Sequence, residues 1–523
     1  MRDILLIGIN SKYIHSNLAI RYMASYADLP FFECTVNDDI FSVYSKLVTR
    51  KENYFCFSVY IWNVEFIKNL CSMLHSARPD IKIILGGPEA GYNKEYFFDN
   101  HPFVFGIVTG EGEEFAKALK EKESLEDVPN LSFRTENKMK ENKIIKTDLS
   151  CLKFPYKDDD LNENLENRIV YFETSRGCIF NCAYCLSSAE GKTRFFPIGY
   201  VKDGLKKLMD YSVPLVKFVD RTFNENNERA KEIVSFILEN NKETRFHFEI
   251  APQLLTKEFV NLCASKPEWF QFEMGIQTTN KDTMRAIKRV YDLEKTANAI
   301  SEIPNEIHCH LDLIAGLPYE TFETFKDGFN YVYMLKPDML QVGFLKLLKH
   351  TSMYNDAEKY DIKTTSFPPF EVLSTHSLSY TDLLKIKRLE NAVDRVYNSG
   401  AFKKTLNELP LDDPFDFYMN LGNLLYEKEM SAPISRTNLY EFMYEILPDM
   451  KKSLSIDFIK NNRKAKLPVC FSDEPYNHKE HRKLLSQSDE FKDKKFKLIY
   501  ASDCVFLVSD DLVEDVTHLV QSI

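Results

Sequence analysis

Glu173-Thr-Ser-Arg-Gly-Cys-Ile-Phe-Asn-Cys-Ala-Tyr-Cys-Leu-Ser-Ser188 is the stretch on which the reading of this chain turns. It follows an apolar, β-rich run, Ile169-Val-Tyr-Phe-Glu-Thr. A loop leaving a strand therefore presents Cys178, Cys182 and Cys185 together, spaced C-x3-C-x2-C. Three thiolates at that spacing suit a metal centre. A closed zinc site needs a fourth Cys or His at similar spacing, and none lies nearby. An iron-sulfur cluster held by three cysteines instead leaves one iron open to a substrate or cofactor, and soft thiolates select such clusters. Cys34, Cys56, Cys71, Cys151, Cys263, Cys309, Cys470 and Cys504 lack motif spacing and read as reduced core residues.

C-x3-C-x-aromatic-C, with Tyr184 as the aromatic and Ser175-Arg-Gly and Asn181 beside it, resembles the signature of radical S-adenosylmethionine enzymes. The resemblance implies that Cys178, Cys182 and Cys185 hold a 4Fe-4S cluster whose open iron chelates the amino and carboxylate groups of S-adenosylmethionine. It also implies reductive cleavage of that cofactor to methionine and a 5′-deoxyadenosyl radical.

A chain of 523 residues exceeds one typical domain, so two or three are expected, each with its own core. With 67 basic against 78 acidic residues, the net charge is −11. That balance disfavours nonspecific nucleic-acid or anionic-membrane binding. The first residues, Met1-Arg-Asp-Ile-Leu-Leu-Ile-Gly-Ile-Asn, have too short an apolar run for a signal peptide, and no run approaches the roughly 20 apolar residues of a membrane span. A cytoplasmic, oxygen-poor setting is the natural reading.

Residues 1 to 125 alternate strands with amphipathic segments: Ile4-Ile9, Tyr54-Tyr60, Ile81-Leu85 and Phe103-Val108 as strands, with Asn17-Ala27, Val64-Ser76 and Glu113-Lys122 as helices. The rhythm predicts an α/β domain with a doubly wound parallel sheet and a ligand at its strand ends. Two glycine turns sit at such ends, Gly86-Gly87-Pro-Glu and Gly110-Glu-Gly112-Glu, and as punctuation alone they are ordinary. Beside the cysteine motif the pair resembles the cobalamin-binding domain that precedes the barrel in one branch of the radical family. The resemblance implies cobalamin as a third cofactor, bound around Gly86, Gly87, Gly110 and Gly112. The branch's usual Asp-x-His-x-x-Gly motif is missing. The matching loop reads Asn10-Ser-Lys-Tyr-Ile-His15-Ser-Asn17, so His15 is not expected to ligate cobalt. Members without that ligand either hold cobalamin otherwise or keep the domain after losing it, and both readings stay open. Residues 126 to 168, rich in Lys, Asp, Glu and Asn, read as a linker with one short hairpin.

From 169 to 350 the pattern repeats as strand then helix, with strands at Ile169-Thr174, Leu215-Val219, Arg245-Ile250, Trp269-Ile276, Ile307-Ile314 and Met339-Leu345. Six such units make an open, three-quarter version of the parallel barrel, whose sites gather at strand carboxyl ends. The cysteine loop sits at the first such end. The resemblance implies cofactor contacts from Asp220 in Asp-Arg-Thr-Phe-Asn, from Glu249 and Gln277, from the Gly316-Leu-Pro-Tyr-Glu320-Thr turn and from Gln341. Alternation along Ile307-Ile314 puts His308, His310 and Asp312 on one face. They read either as the catalytic lining of a substrate pocket or as histidines that satisfy barrel-core hydrogen bonds.

Residues 351 to 523 read as a mainly helical domain, Tyr380-Glu408 and Asp413-Leu447 with a closing hairpin at Lys495-Tyr500 and Cys504-Val508, suited to covering the barrel and choosing substrate. Its aromatics, Phe415, Phe417, Tyr418, Tyr426, Tyr440 and Phe442, read as core. The function expected is hydrogen abstraction from a small organic substrate, followed by cobalamin-assisted methyl transfer or by rearrangement. The alternatives are a lyase that fragments a small molecule such as a deazapurine-like base and, more remotely, a cobalamin or redox sensor. An electron donor such as flavodoxin or ferredoxin is the expected partner; nucleic acid and membrane are not.

Overall fold

The structure, a computed structural model, describes residues 2–136, 138–165, 168–189, 191–430, 434–473, 477–487, 491, 495–509 and 512–520. The chain forms two compact units, residues 1–328 with 343–380 and residues 329–342 with 381–523. No helix among the described residues is long and apolar enough to cross a membrane.

The first sheet holds β1 (Ile4–Asn10), β2 (Phe31–Thr35), β3 (Tyr54–Ser58), β4 (Lys82–Gly86), β5 (Val104–Val108), β6 (Leu131–Arg134) and β7 (Met139–Glu141). Their order is β2-β1-β3-β4-β5-β6-β7. The first five pair in parallel, and β6 and β7 add as an antiparallel hairpin. Every residue of β1 is buried, as a strand covered by helices on both faces requires. Leu5, Ile7, Phe55 and Phe57 pack toward the helices Ile40–Val48 and Val64–Ala77, while Leu6, Cys56 and Ile84 pack toward Leu18–Ala27 and Glu113–Glu121. The order 2-1-3 opens a crevice between the carboxyl ends of β1 and β3. Asn17 bridges it. Its side chain caps Leu18–Ala27 by accepting from the Ile20 amide at 3.2 Å, and its Nδ2 donates to Ser58 Oγ at 2.9 Å.

Two features differ from the sequence reading. β2 and the helix Ile40–Val48 were not expected, because Phe31-Phe-Glu-Cys-Thr is short and half-buried at the sheet edge. The hairpin expected in the charged stretch is part of the sheet, with Leu131 and Phe133 buried.

The second sheet holds β8 (Val170–Phe172), β9 (Leu215–Phe218), β10 (Arg245–Glu249), β11 (Phe270–Gln277), β12 (His308–Ala315) and β13 (Met339–Phe344), in sequential order with β8 and β13 at its edges. All six expected strands are present, their ends moved by one or two residues. Alternation is strict along β11: Phe270, Phe272, Met274 and Ile276 are buried, while Gln271, Glu273, Gly275 and Gln277 are half-buried on the other side. The outward face is aromatic, with Phe172, Phe218, Phe246 and Phe248 buried. The β1 loop covers the edge strand. His15 bridges Ile169 in parallel, the Ile169 amide donates to Ile14 O at 2.7 Å, and Ser16 Oγ donates to Ile169 O at 3.1 Å.

In the second unit the helices Pro414–Glu427, Arg436–Ile446 and Lys451–Asn461 bury Phe415, Tyr418, Tyr440, Phe442 and Phe458. Most of the aromatics read as core are buried; Phe417 is half-buried and Tyr426 exposed. β14 (Lys497–Ala501) and β15 (Cys504–Val508) form the expected hairpin, and β16 (Val513–Asp515) extends it. Lys451–Asn461 was missed because it buries every residue from Ser453 to Ile459, which erases the amphipathic period.

Candidate active site at the carboxyl ends of the barrel strands

The cysteine loop leaves β8 through Ser175–Arg176, which pairs with Arg194–Phe195. Gly177 has φ 97°, and a Cβ there would lie 3.1 Å from the carbonyl oxygens of Gly191 and Lys192, so glycine alone makes this turn into Cys178. Cys182 is buried, Cys178 and Cys185 are half-buried, and all three are free thiols. Cys178 Sγ lies 3.5 Å from Thr222 Oγ1 and accepts from the Phe180 amide at 3.4 Å. Arg289 Nη1 donates to Cys182 Sγ at 3.6 Å, and its Nη2 donates to Gly275 O at 2.8 Å. Burial raises the Cys178 thiol against the hydrogen bonds from Thr222 and Phe180, and the charges of Cys182 and Cys185 push the same way as burial. Among the described residues no three His, Cys, Asp or Glu side chains are gathered as ligands for a single metal ion. A cubane cluster asks for a looser arrangement, since each cysteine binds its own iron. The donor set, three thiols on one loop with hydrogen-bond donors aimed at two of the sulfurs, fits such a cluster.

The segment that carries this loop is held from two sides. Asp220, 1% exposed, accepts from the Thr174 amide at 2.8 Å and from Thr174 Oγ1 and Ser175 Oγ at 2.6 Å each. Its carboxylate is thus spent on positioning the chain ahead of the cysteines. Arg176 Nη2 donates to Glu113 Oε1 at 2.6 Å and to Glu173 Oε1 at 2.7 Å, and Glu111 lies 3.7 Å from Nη1. Arg194 pairs with Glu111 and donates to Thr147 O at 2.8 Å. Burial lifts the Glu173 carboxyl to about 7 despite Arg176. The Gly110-Glu-Gly112-Glu turn of the first sheet therefore clamps the residues leading into Cys178.

The glycines of the two turns have local reasons. Gly87 has φ 92°, and a Cβ there would lie 2.6 Å from Val59 O; one at Gly112 would lie 2.6 Å from Met23 Sδ. Gly110 has φ 85° with Ile144 Cγ2 at an ordinary contact distance of 3.7 Å from a Cβ built there, and Gly86 packs normally. Near them Tyr60 and Trp62 stack at 4.3 Å and 5°, and Trp62 is 51% exposed. His15 is engaged by the barrel: its Nδ1 is 2.6 Å from Tyr171 OH.

His308, His310 and Asp312 lie on one face of β12, as the alternation predicts, and none is fully buried. This inner face continues onto β9, β10 and β11. Lys217 Nζ donates to Glu273 Oε2 at 2.9 Å, and His247 Nε2 lies 2.8 Å from the same oxygen. The His247 and His310 rings meet edge to face at 5.5 Å, and those of His308 and His310 at 4.7 Å. Burial opposes ionisation of Glu273, yet the His247 hydrogen bond and the Lys217 charge bring it down to about 2. Burial, then the Glu273 and Glu249 charges, push Asp312 up to about 8. Burial likewise takes Glu249 to about 7, and burial with the His308 and His247 charges takes His310 down to about 4. Lys217, His247, Glu273 and Arg289 were not singled out from the sequence, and Arg176 and Thr222 stood there only within stretches that carry the resemblance. Strand alternation carried to β9 and β11 finds Lys217 and Glu273; nothing local marks Arg289.

The turn after β12 positions Glu320, whose Oε1 accepts from Thr278 Oγ1 in a fully buried setting. Gly316 has φ 89° and Tyr319 φ 64°. Gln277 sits at a bulge with φ 69°, and Gln341 is exposed on β13. Gln277 Oε1, Asp312 Oδ1, His310 Nε2 and Glu320 Oε2 are buried with no hydrogen-bond partner. Buried polar atoms left without partners among the described residues mark places that ligands complete; S-adenosylmethionine, rich in amino, hydroxyl and ring nitrogen groups, suits those on Gln277 and Glu320, while those on Asp312 and His310 belong to the inner face of the barrel. Burial raises Glu320 to about 8, so it is neutral at pH 7. A raised acid stabilises the fold fully below its unfolded value and loses that contribution as pH rises through the folded value. Glu320→Gln should therefore flatten the loss of stability between about pH 4.5, where the unfolded acid ionises, and about pH 8, where the folded one does, read from unfolding midpoints.

Three family models match the chain: B12 binding domain over residues 4–120, Radical SAM superfamily over 172–332, and a protein of unknown function, DUF4080, over 358–504. A radical SAM domain works with a 4Fe-4S cluster and S-adenosylmethionine, and a B12-binding domain with cobalamin. The tRNA-2-methylthio-N(6)-dimethylallyladenosine synthase of Clostridium botulinum (strain Okra / Type B1) is 24% identical over 290 residues, 51% of this chain and 63% of that protein. The cobalamin-dependent radical SAM methyltransferase TokK of Streptomyces tokunonensis is 24% identical over 295 residues, 52% of this chain and 43% of that protein. The chain thus spans less than two thirds of either relative. The fold matches the cobalamin-dependent S-adenosylmethionine radical enzyme OxsB, solved with aqua-cobalamin and S-adenosylmethionine bound, with a TM-score of 0.63 at 14% identity over 89% of this chain and 82% of that one.

Proposed function

Because this chain carries a B12-binding domain followed by a radical SAM domain and is an enzyme of that type, we propose that it transfers a methyl group to a carbon of a small organic substrate with the help of cobalamin. The observation that carries the reading is the clamp from Glu111 and Glu113, on the glycine turn of the first sheet, to Arg176, two residues before the first cysteine. A domain kept only as a remnant has no need to set the cysteine loop.

When bound, the cluster and S-adenosylmethionine supply a carbon radical that takes hydrogen from the substrate, and cobalamin supplies a methyl group. The chain's own residues hold and shield. Cys178, Cys182 and Cys185 would ligate the cluster, with the Phe180 amide and Arg289 donating toward two of the sulfurs. Gly316 to Glu320 and Gln277 would hold S-adenosylmethionine, Gln341 is proposed with them, and Glu249 would stand where S-adenosylmethionine and substrate meet. Asp220 acts through Thr174 and Ser175. The Gly86-Gly87 and Gly110-Gly112 turns would border cobalamin, with the Tyr60–Trp62 pair as a flat apolar face. His308, His310 and Asp312 would meet the substrate. The outward aromatic layer keeps water from the barrel wall.

The Clostridium relative is named for a tRNA base, but the net charge of −11 disfavours the phosphate contacts that dominate nucleic-acid affinity. A small molecule is the better substrate class, and a flavodoxin or ferredoxin the electron donor. The test is anaerobic: reconstitute with iron and sulfide, offer cobalamin, and record bound chromophores by absorbance and mass. One cobalamin per chain is expected. Failure to bind it at large excess would remove methyl transfer and leave lyase or rearrangement chemistry.

A further inference from the structure

The interior of a parallel barrel is ordinarily filled by bulky branched apolar side chains. Here the middle of the sheet carries Lys217, His247, Glu273 and His310 instead; His247 is buried, while Lys217 and Glu273 stay 28% and 25% exposed. The residues are registered in layers. Lys217 pairs with His247, Glu249 with Glu273, Glu273 with His310, and Gly275 with Asp312. The interior also reaches the cysteine loop, since Arg289 joins Cys182 Sγ to the carbonyl of Gly275, opposite Asp312.

Charge separates the three inner carboxyls. Glu273 has Lys217 and His247 within 2.9 Å. Glu249 feels Arg221, at the end of β9. Lys217 and Arg289 act on Asp312 through space, but Lys217 bonds Glu273 and Arg289 bonds Cys182 and Gly275, and among the described residues Asp312 Oδ1 is buried without a hydrogen-bond partner, as is His310 Nε2 on the same face. Two mostly buried acidic groups on one face, one with an unpartnered oxygen, call for a cation.

Resting on the reading of the barrel as the reaction chamber, we propose that the substrate is a small organic cation whose amine or amidine nitrogen lies against Asp312 and Glu249, with His310 accepting from or donating to its polar body. The positioning is selective. A cation beside Asp312 draws its carboxyl back to the ionised form, whereas an anionic analogue meets the ionised Glu273 and is repelled, and a neutral one leaves Asp312 unpaired.

Three four-carbon probes of different charge test this: 1,4-diaminobutane, 1,4-butanediol and succinate, each titrated calorimetrically into the anaerobic, cluster-loaded full-length protein with S-adenosylmethionine present. The diamine should bind at least about tenfold tighter than the diol, and succinate weaker still. Asp312→Asn should remove the preference while leaving S-adenosylmethionine affinity within about twofold. Glu249→Gln should reduce it and guards against a folding defect in the first variant. Equal binding of the three probes, or preference for succinate, overturns the proposal. So does a loss of S-adenosylmethionine affinity in Asp312→Asn that matches the loss of diamine affinity, because Asp312 would then serve the cofactor. 5′-Deoxyadenosine measured in the same wild-type samples reports separately on the radical chemistry, and the probe series is read whether or not it forms.

Discussion

Alanine in place of Cys178, Cys182 or Cys185 takes the broad visible absorbance of the reconstituted cluster and the formation of 5′-deoxyadenosine to background. Loss of an outer partner of a metal site costs about 10–100-fold, and loss of one of three ligands exceeds that because no nearby side chain replaces it. Cys309 and Cys263 lie in other elements, and Cys263 is buried in the helix Lys257–Ala264. Cys263→Ala should leave both signals intact. A single-cysteine variant of the loop that cleaves S-adenosylmethionine at the wild-type rate would remove the cluster assignment.

Arg176→Ala is expected to have the second largest effect, and through a different route. The Arg176 side chain is 14% exposed, and its partners Glu113 and Glu173 are 6% and 10% exposed. Removing the arginine leaves buried carboxylates facing one another, with Glu111 close by. Breaking a buried pair from one side costs about 3–5 kcal/mol, far more than the pair itself contributes. Arg176→Lys should recover only part, since a lysine cannot fork between Glu113 and Glu173. The exposed Lys206–Asp210 pair is the control, where Lys206→Ala should change stability by at most about 1 kcal/mol. The measurements are the denaturant midpoint and the iron retained after gel filtration, both falling in Arg176→Ala. Unchanged values for both would mean that the clamp does not set the cysteine loop.

The two sheets were legible because parallel strands buried on both faces are written as apolar runs at βα spacing, and all six barrel strands appear where those runs stand. The cysteine loop was legible because its chemistry demands three thiols close in sequence. What holds the loop was not. Arg176 and Glu113, and Asp220 and Thr174, meet across separations of 63 and 46 residues, and a local reading of Gly110-Glu-Gly-Glu does not reveal that its two glutamates also face an arginine. Half of the inner face was legible. His308, His310 and Asp312 alternate on one strand, whereas Lys217, His247 and Glu273 become their neighbours only through the register of four strands. His15, expected to leave cobalt alone, bonds Tyr171 across the two sheets.

The most direct measurement is product analysis of the full-length protein, loaded anaerobically with iron and sulfide, reduced, and given S-adenosylmethionine. The account predicts 5′-deoxyadenosine formed with an equal amount of methionine, dependent on the reductant and absent without the cluster. Intact S-adenosylmethionine in a sample whose iron and sulfide content shows a filled 4Fe-4S cluster would contradict it.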